Sequence, residues 1–169
     1  IRLCDQALLL KPSEAQTKYL NQLKSWAVLS RAKLFPTPKR IDPNDKDCPM
    51  KLAVQDCTLA IELNSENWKA YSHRARRYSG LGKTKEAIGD LDVAIRKKPD
   101  NADLWFNRAE LFFAQKEYEI AVADYSEALK INKTDVQALT GRAHCYVRLA
   151  KLELALLDYD SVIERTGKS

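Results

Sequence analysis

The sequence has few residues that interrupt helices. Only 5 of its 169 residues are glycine and 6 are proline, and these two residue types are the least favourable inside helices. The sequence also has no apolar run near the roughly 18 residues that a membrane-spanning helix needs, and no signal-peptide pattern at its start. We therefore expect a helical protein without membrane insertion. Because helical register already runs at Ile1, we also expect a fragment of a longer protein, with any targeting signal elsewhere.

A unit of 34 residues recurs along the chain. Arg-Ala pairs, aspartates and aromatic residues each return at this spacing. They are Arg74-Ala75, Arg108-Ala109 and Arg142-Ala143; Asp90, Asp124 and Asp158; and Tyr78, Phe112 and Tyr146. Three full units result, 68–101, 102–135 and 136–169. Each unit holds two amphipathic patterns, which predict helices at about 67–80, 84–97, 101–114, 117–131, 135–148 and 151–165.

Small and bulky apolar residues follow a fixed order inside each unit. The first helix carries a bulky residue, an alanine and an aromatic residue, and the second carries an alanine, an aromatic residue and another alanine. The central unit has the whole set: Trp105, Ala109, Phe112, Ala121, Tyr125 and Ala128. Ala109 and Ala121 are predicted to mark the closest contact between its two helices. Gly89 and Gly141 fall inside predicted helices, where close packing is the usual reason for a glycine.

This pattern, present in three copies, resembles the tetratricopeptide repeat family. The resemblance implies an all-α fold, an α-solenoid of stacked antiparallel helix pairs that winds as a right-handed superhelix. It also implies a concave surface, lined by the first helix of each pair, on which a partner binds without chemistry. We therefore interpret residues 1–169 as a single solenoid fragment.

The period is broken twice in the first part of the chain. Residues 13–67 are interpreted as a repeat with an elongated first helix at Glu14–Phe35, an inserted loop at 36–48 and a second helix at 49–64. Residues 1–12 are interpreted as the second helix of a truncated repeat. The loop is polar and carries prolines, so we expect it to be the least ordered internal segment.

The four cysteines form neither a Cys-x-x-Cys pair nor a metal-ligand spacing. Aligned by the repeat, Cys4, Cys57 and Cys145 fall at positions held by leucine or tyrosine in other units, so they are predicted to be buried free thiols. Cys48 lies in the predicted loop. Free thiols favour a reducing compartment, here the cytoplasm, with the nucleus as the alternative. No metal and no cofactor are expected.

Two segments, 82–84 and 167–169, resemble the end of a phosphate-binding loop because each reads Gly-Lys followed by a hydroxyl residue. Such a loop needs another glycine five residues before the Gly-Lys step, and the chain has Arg77 and Val162 there. The two histidines lie two repeats apart, a separation on the order of 20 Å at ordinary helix spacing. A nucleotide site, an enzyme activity and a small-molecule substrate are therefore not expected.

The resemblance places the partner-binding surface on the exposed side of the first helices. Polar side chains dominate this side, and Phe106 and Phe113 are predicted to be exposed there as anchors for a peptide. The residues predicted to contact the partner are Lys69, Ser72, His73, Arg76, Asp103, Phe106, Asn107, Glu110, Phe113, Gln137, Thr140, His144 and Arg148.

One branch of the family holds the acidic carboxyl termini of chaperones in a clamp of lysine, asparagine and arginine side chains. The matching positions in this sequence are Ser72, Arg76, Asn107, Gln137 and Gly141. Only Asn107 fits, so the resemblance does not extend to this clamp.

Charge is distributed unevenly between the repeats. Residues 68–101 carry 9 basic and 4 acidic groups, and residues 102–135 carry 4 basic and 7 acidic groups. The basic repeat predicts an acidic segment in a protein partner. Nucleic acid is a weaker alternative, because no aromatic residues for base stacking alternate with the basic ones.

Each repeat has an arginine just before its first-helix alanine and an aspartate three residues after its second-helix alanine. Because the second helix of one repeat packs beside the first helix of the next, we expect these charges to pair between repeats. The expected pairs are Asp56 with Arg74, Asp90 with Arg108, and Asp124 with Arg142.

The sequence thus predicts a non-catalytic adaptor that binds a peptide or a partner subunit on its concave surface. The alternative is a structural scaffold that stacks end to end. In that interpretation an uncapped end, which carries Leu154 and Leu157, allows self-association.

Overall fold

The computed structural model describes residues 17–18, 21–22, 24–25 and 49–167. Regular structure in this part of the chain is helical throughout, as the all-α prediction requires. Seven helices follow one another from residue 49 onward: α1 Pro49–Leu63, α2 Trp68–Gly80, α3 Thr84–Lys97, α4 Ala102–Ala114, α5 Tyr118–Ile131, α6 Val136–Arg148 and α7 Leu152–Thr166. Each begins and ends within one residue of its predicted bounds.

Several predictions from the first part of the chain fall outside the described residues. These are the truncated repeat 1–12, the loop 36–48 and most of the long helix Glu14–Phe35, together with Cys4 and Cys48. The chain divides into two compact units, Ile1–Ala70 and Tyr71–Ser169.

The first unit has a small core of buried residues on α1 and at the start of α2. Ala53, Cys57, Ala60 and Ala70 are fully buried there. The Ser25 hydroxyl donates a hydrogen bond of 2.7 Å to the Ala60 carbonyl oxygen and accepts one of 2.7 Å from the Asn67 side chain. These bonds satisfy a buried hydroxyl that would otherwise destabilise the core.

The second unit is built by helices that pack in sequence, α3 on α4, α4 on α5, α5 on α6 and α6 on α7, with a smaller contact between α4 and α6. Ala109 and Ala121 both lie fully buried in its core cluster, beside Tyr125. Small residues at these positions allow the helix backbones to approach, and the tyrosine ring fills the space around them.

The first helices begin behind capping side chains. The Asn101 side chain accepts a hydrogen bond from the Asp103 backbone N–H at 3.0 Å, and the Asp135 carboxylate accepts from Gln137 and Ala138 at 2.9 and 3.1 Å. Each bond satisfies a backbone donor that has no partner inside the helix. The sequence therefore specifies where α4 and α6 start.

The turn from first to second helix is the same in all three repeats. Gly82, Lys116 and Ala150 occupy one repeat position and have positive φ angles of 73°, 66° and 56°. The next residue donates back to the helix each time, as in the bonds from Lys83 to Tyr78, Glu117 to Phe112 and Lys151 to Tyr146, at 2.8 to 2.9 Å. This arrangement ends a helix with a left-handed residue, a conformation that glycine adopts without strain.

The repeated arginines bind aspartates within their own repeats. Arg74 donates through Nε and Nη2 to both oxygens of Asp90, at 2.8 and 2.7 Å. Arg108 binds Asp124 in the same way, and Arg142 binds Asp158, with all four distances between 2.7 and 2.9 Å. The predicted pairs Asp90–Arg108 and Asp124–Arg142 are therefore wrong, because each guanidinium group faces the second helix of its own pair.

A contact between repeats does exist, but it uses a different residue. The Arg108 Nη1 atom donates to Asp92 at 2.6 Å, and Arg142 Nη1 donates to the Ser126 hydroxyl at 3.1 Å. Asp92 and Ser126 lie two residues beyond the aspartates of the predicted pairs. Arg108 therefore connects three helices, α3, α4 and α5. Its hydrogen bond to Asp124 raises the pKa of the guanidinium group.

Candidate functional site

Two clefts open in the second unit between successive first helices. The first cleft, of about 130 Å³, lies between α2 and α4; it is lined by Ser72, Ala75, Arg76, Ser79, Leu91, Asn107, Glu110 and Leu111. The second cleft, of about 330 Å³, lies between α4 and α6; it is lined by Phe106, Glu110, Val136, Gln137, Thr140, Gly141 and His144. Glu110 lines both, so the two clefts adjoin at this residue.

Eight of the thirteen predicted contact residues line these clefts. They are Ser72, Arg76, Phe106, Asn107, Glu110, Gln137, Thr140 and His144. The other five line neither cleft. Lys69 belongs to the first unit, and His73 and Phe113 are half-buried. Asp103 is exposed at the start of α4, and Arg148 is exposed at the end of α6. The structure thus brings eight of the predicted residues together on α2, α4 and α6 and leaves the other five outside the clefts.

The two phenylalanines differ from their predicted role as exposed anchors. Both are half-buried. The Phe106 ring packs edge-on against Tyr125 with 5.8 Å between centroids, and Phe113 packs in the same manner on Tyr118 at 5.5 Å. Of the two, Phe106 lines a cleft. Helical spacing places both on one side of α4, but it does not indicate which neighbouring ring covers each.

A buried tyrosine holds Glu110 at the junction of the clefts. The Tyr125 side chain is fully buried, and its hydroxyl donates a hydrogen bond to the Glu110 carboxylate. Burial, and then this bond, raise the pKa of Tyr125, so the phenol keeps its proton and remains a donor. Because the bond comes from the protein interior, it limits how far the Glu110 side chain can move on the surface.

Gly141 makes room for that tyrosine. A Cβ atom built on Gly141 meets the Tyr125 ring at 2.5 Å and its hydroxyl at 2.8 Å. Any other residue at 141 therefore requires the ring to move. In the sequence, the glycine at position 141 of a helical pattern was the only indication of its close contact with Tyr125.

Two residues of opposite charge line the clefts, Arg76 in the first cleft and Glu110 in both. Arg76 and Glu110 are both exposed, and among the described residues no ion pair involves either of them. Glu110 is the one acidic or strongly basic residue that lines the second cleft. Gln137 and Thr140 add uncharged polar groups there, and the Thr140 hydroxyl donates to the Val136 carbonyl oxygen at 2.8 Å.

The described residues offer no activated cysteine to the clefts. Cys57 and Cys145 are buried, and neither forms a disulfide, as predicted. Burial raises the pKa of the Cys145 thiol to about 11, and a protonated thiol is a poor nucleophile. Between residues 49 and 167, and at the described positions before them, no group of three potential metal ligands occurs.

Within the same described ranges, no helix combines the length and the apolar composition needed to cross a membrane.

Comparisons with known proteins agree with the repeat pattern. Residues 73–136 match a family model described as tetratricopeptide repeat. This segment of the chain is therefore similar to tetratricopeptide repeats. The resemblance stated from the sequence is thereby confirmed, and helices α2 to α5 supply most of the matched segment. No curated protein matches the sequence.

Solved structures support the same fold. A crystal structure of MamA is similar over 91% of this chain and 86% of its own, with a TM-score of 0.75 and 15% identity. YrrB, a tetratricopeptide repeat protein with an unusual peptide-binding site, is similar over 69% of this chain and 60% of its own, with a TM-score of 0.63 and 23% identity. At these identities the likeness shows the fold alone.

A third structure contains a bound peptide. The first tetratricopeptide repeat domain of Spaghetti (RPAP3), bound to the HSP90 peptide SRMEEVD, is similar over 62% of this chain and 85% of its own, with a TM-score of 0.57 and 28% identity. Together the family model and these structures show an all-α helical repeat fold of the kind used in protein–protein interaction.

Proposed function

We propose that the chain is a non-catalytic interaction module that holds an extended peptide, or an extended segment of a partner protein, across the first and second clefts. The observation that supports this most directly is the pair of adjoining clefts on successive first helices. Together they offer polar side chains, one exposed cation and one exposed anion to a chain that crosses α2, α4 and α6.

The rigidity of the surface favours this function. Gly141 leaves room for the Tyr125 ring, and the Tyr125 hydroxyl holds Glu110 by a hydrogen bond from the protein interior. The paired arginines connect neighbouring helices. A surface that is already ordered loses little conformational entropy when it binds a peptide, so more of the interaction free energy remains as affinity. Recognition needs no chemical step, and we assign none.

Two of the similar structures are of peptide-binding proteins, which makes a peptide the natural partner to test. We do not propose that the chain holds the acidic carboxyl termini of chaperones through the clamp described above. Where the clamp has lysine or arginine, this chain has Ser72, Gln137 and Gly141, none of which carries a positive charge. Cys57 and Cys145 are buried thiols that form no disulfide, which suits a reducing compartment, and we place the module in the cytoplasm on that ground.

A peptide selection followed by a blocking substitution tests the proposal. Peptides selected on the full chain from a random library are titrated by fluorescence anisotropy against wild type and Gln137→Trp. Gln137 is exposed and lines the second cleft, so an indole fills the cleft without disturbing the core. We expect affinity to fall about tenfold or more, equivalent to about 1.4 kcal/mol.

The matched control is Gln55→Trp, which makes the same change at an exposed position of α1. The control is expected to bind like wild type. Selection of no peptide at all, or equal binding by Gln137→Trp and wild type, would contradict the proposed function.

A scaffold role is a second candidate, favoured by the apolar surface of α7. Leu152, Leu156, Leu157 and Ile163 are each at least 60% exposed. Such a surface is typical of a protein contact. Light scattering over a concentration series tests it, since end-to-end stacking predicts a mass that rises with concentration, whereas a constant monomer mass would contradict it.

A further inference from the structure

We infer that the second cleft receives a basic side chain of the bound partner, a lysine or an arginine whose cationic group lies against Glu110 and the ring of Phe106. This inference rests on the proposed peptide-binding function and names the chemistry of the partner at one position.

The charge of the second cleft is the first argument. Among the seven residues that line it, Glu110 is the one with a full charge at neutral pH when the histidine is counted as neutral. None of the described residues forms an ion pair with it. An acidic partner group placed here meets an uncompensated carboxylate, which disfavours it, whereas a basic group neutralises the charge.

The geometry of Glu110 is the second argument. The Tyr125 hydroxyl donates one hydrogen bond to its carboxylate, and an ionised carboxylate has roughly four acceptor positions. The remaining positions are left for a ligand, because the residue is exposed. A carboxylate that is held in place and still has free acceptor positions suits the several N–H donors of a lysine or arginine.

The neighbouring aromatic ring is the third argument. Phe106 lines the same cleft and is held edge-on against Tyr125, with 5.8 Å between the ring centroids and 61° between the planes. A cation within about 6 Å of an aromatic ring gains further stabilisation. The cleft therefore offers a basic side chain both a carboxylate and an aromatic partner.

A basic side chain in the second cleft limits where the acidic partner segment that the sequence predicts can bind. The first cleft is lined by the exposed cation Arg76 on α2 as well as by Glu110 on α4, so an acidic group suits only the Arg76 side of it. The two clefts together favour a peptide that places an acidic residue toward α2 and a basic residue toward α6. A partner that is acidic throughout meets Glu110 in both clefts and is disfavoured.

Selection on charge-altered variants tests the inference. A random peptide library is selected in parallel on the full chain as wild type, Glu110→Gln and Glu119→Gln. The glutamine at 110 retains an oxygen that accepts from Tyr125, so the change removes charge and leaves the buried bond possible. Glu119 is exposed in the first turn of α5 and lines neither cleft, which makes it the matched control.

We expect lysine or arginine to be enriched at one peptide position on wild type and on Glu119→Gln, and the enrichment to be lost on Glu110→Gln. Replacing that basic residue by methionine in the best peptide is expected to weaken binding to wild type about fivefold, equivalent to about 1 kcal/mol for an exposed ion pair. This second measurement needs no variant of the protein.

Three outcomes overturn the inference. Peptides without basic enrichment, or the same enrichment on Glu110→Gln, overturn it and leave the proposed function intact if Gln137→Trp still blocks binding. Failure to select any peptide on wild type overturns the inference and the proposed function together.

Discussion

At the scale of single residues, two glycines inside helices show what a sequence can and cannot say. Both Gly89 and Gly141 interrupt a helical pattern, and close packing is the usual explanation for either. A Cβ at Gly141 meets the Tyr125 ring at 2.5 Å, whereas a Cβ at Gly89 meets nothing within 4 Å. Close packing therefore explains Gly141 and does not explain Gly89.

Alanine at each position is expected to act in opposite directions. Gly141→Ala forces a fully buried ring to move and is expected to lower the free energy of unfolding by about 1–3 kcal/mol. Gly89→Ala removes backbone freedom from the unfolded chain at an open position and is expected to raise it by about 0.5–1 kcal/mol. Urea denaturation of both variants measures the difference. A rise for both would mean that Gly141 has no close neighbour.

At the scale of elements, the turn between first and second helix carries strain in two of its three copies. An L-residue in the left-handed region costs about 1–2 kcal/mol, and glycine avoids this cost. Ala150 adopts a φ of 56° where the first copy has Gly82. Ala150→Gly is therefore expected to raise the melting temperature, because relief of strain exceeds the entropy that glycine adds to the unfolded chain.

The reverse change, Gly82→Ala, is expected to lower the melting temperature, since it introduces the same strain at φ 73°. Thermal denaturation followed by circular dichroism compares the two. Changes of the same sign for Ala150→Gly and Gly82→Ala would contradict the shared turn geometry.

The arginine that joins three helices gives a second prediction at this scale. The Asp124 side chain is only 5% exposed, whereas Asp92, which binds the same guanidinium group, is 39% exposed. Asp124→Asn leaves Arg108 partly buried without its main anion and is expected to cost about 3 kcal/mol. Asp92→Asn is expected to cost under about 1 kcal/mol.

Chemical denaturation of the two variants, with Asp100→Asn as a surface control, measures these costs. A double-mutant cycle between Arg108 and Asp124 is expected to show strong coupling, and a cycle between Asp90 and Arg108 none. Coupling in the second cycle instead of the first would restore the pairing between repeats that the sequence predicted.

Local chemistry explains why the helices were predictable while the arginine partners were not. Apolar spacing, the caps at Asn101 and Asp135 and the glycine at 82 all act within a few residues, so the sequence alone locates each of the seven helices from residue 49 onward to within one residue. The partner of Arg108 and the covering of Phe106 depend on how helices rotate about their axes when they pack. The repeat pattern limits the candidate partners to a few aspartates and aromatic rings, but it does not indicate which of them makes the contact.

At the scale of the whole molecule, the described helices give the second unit one polar side with two clefts, on α2, α4 and α6. The charges of the repeats appear there as Arg76 in the first cleft and Glu110 between the two. The sequence located eight of the lining residues because they share one side of the first helices. From the basic repeat it predicted an acidic segment in the partner, but net charge per repeat does not indicate which charges are already paired inside the protein.

The central claim is that a partner peptide binds along these first helices. Amide chemical-shift mapping by NMR, with the peptide selected on the full chain, tests it most directly. We expect shifts concentrated at Arg76, Asn107, Glu110, Thr140 and His144, with little change on α3 and α5. Shifts confined to the second helices, or to the apolar surface of α7, would contradict it.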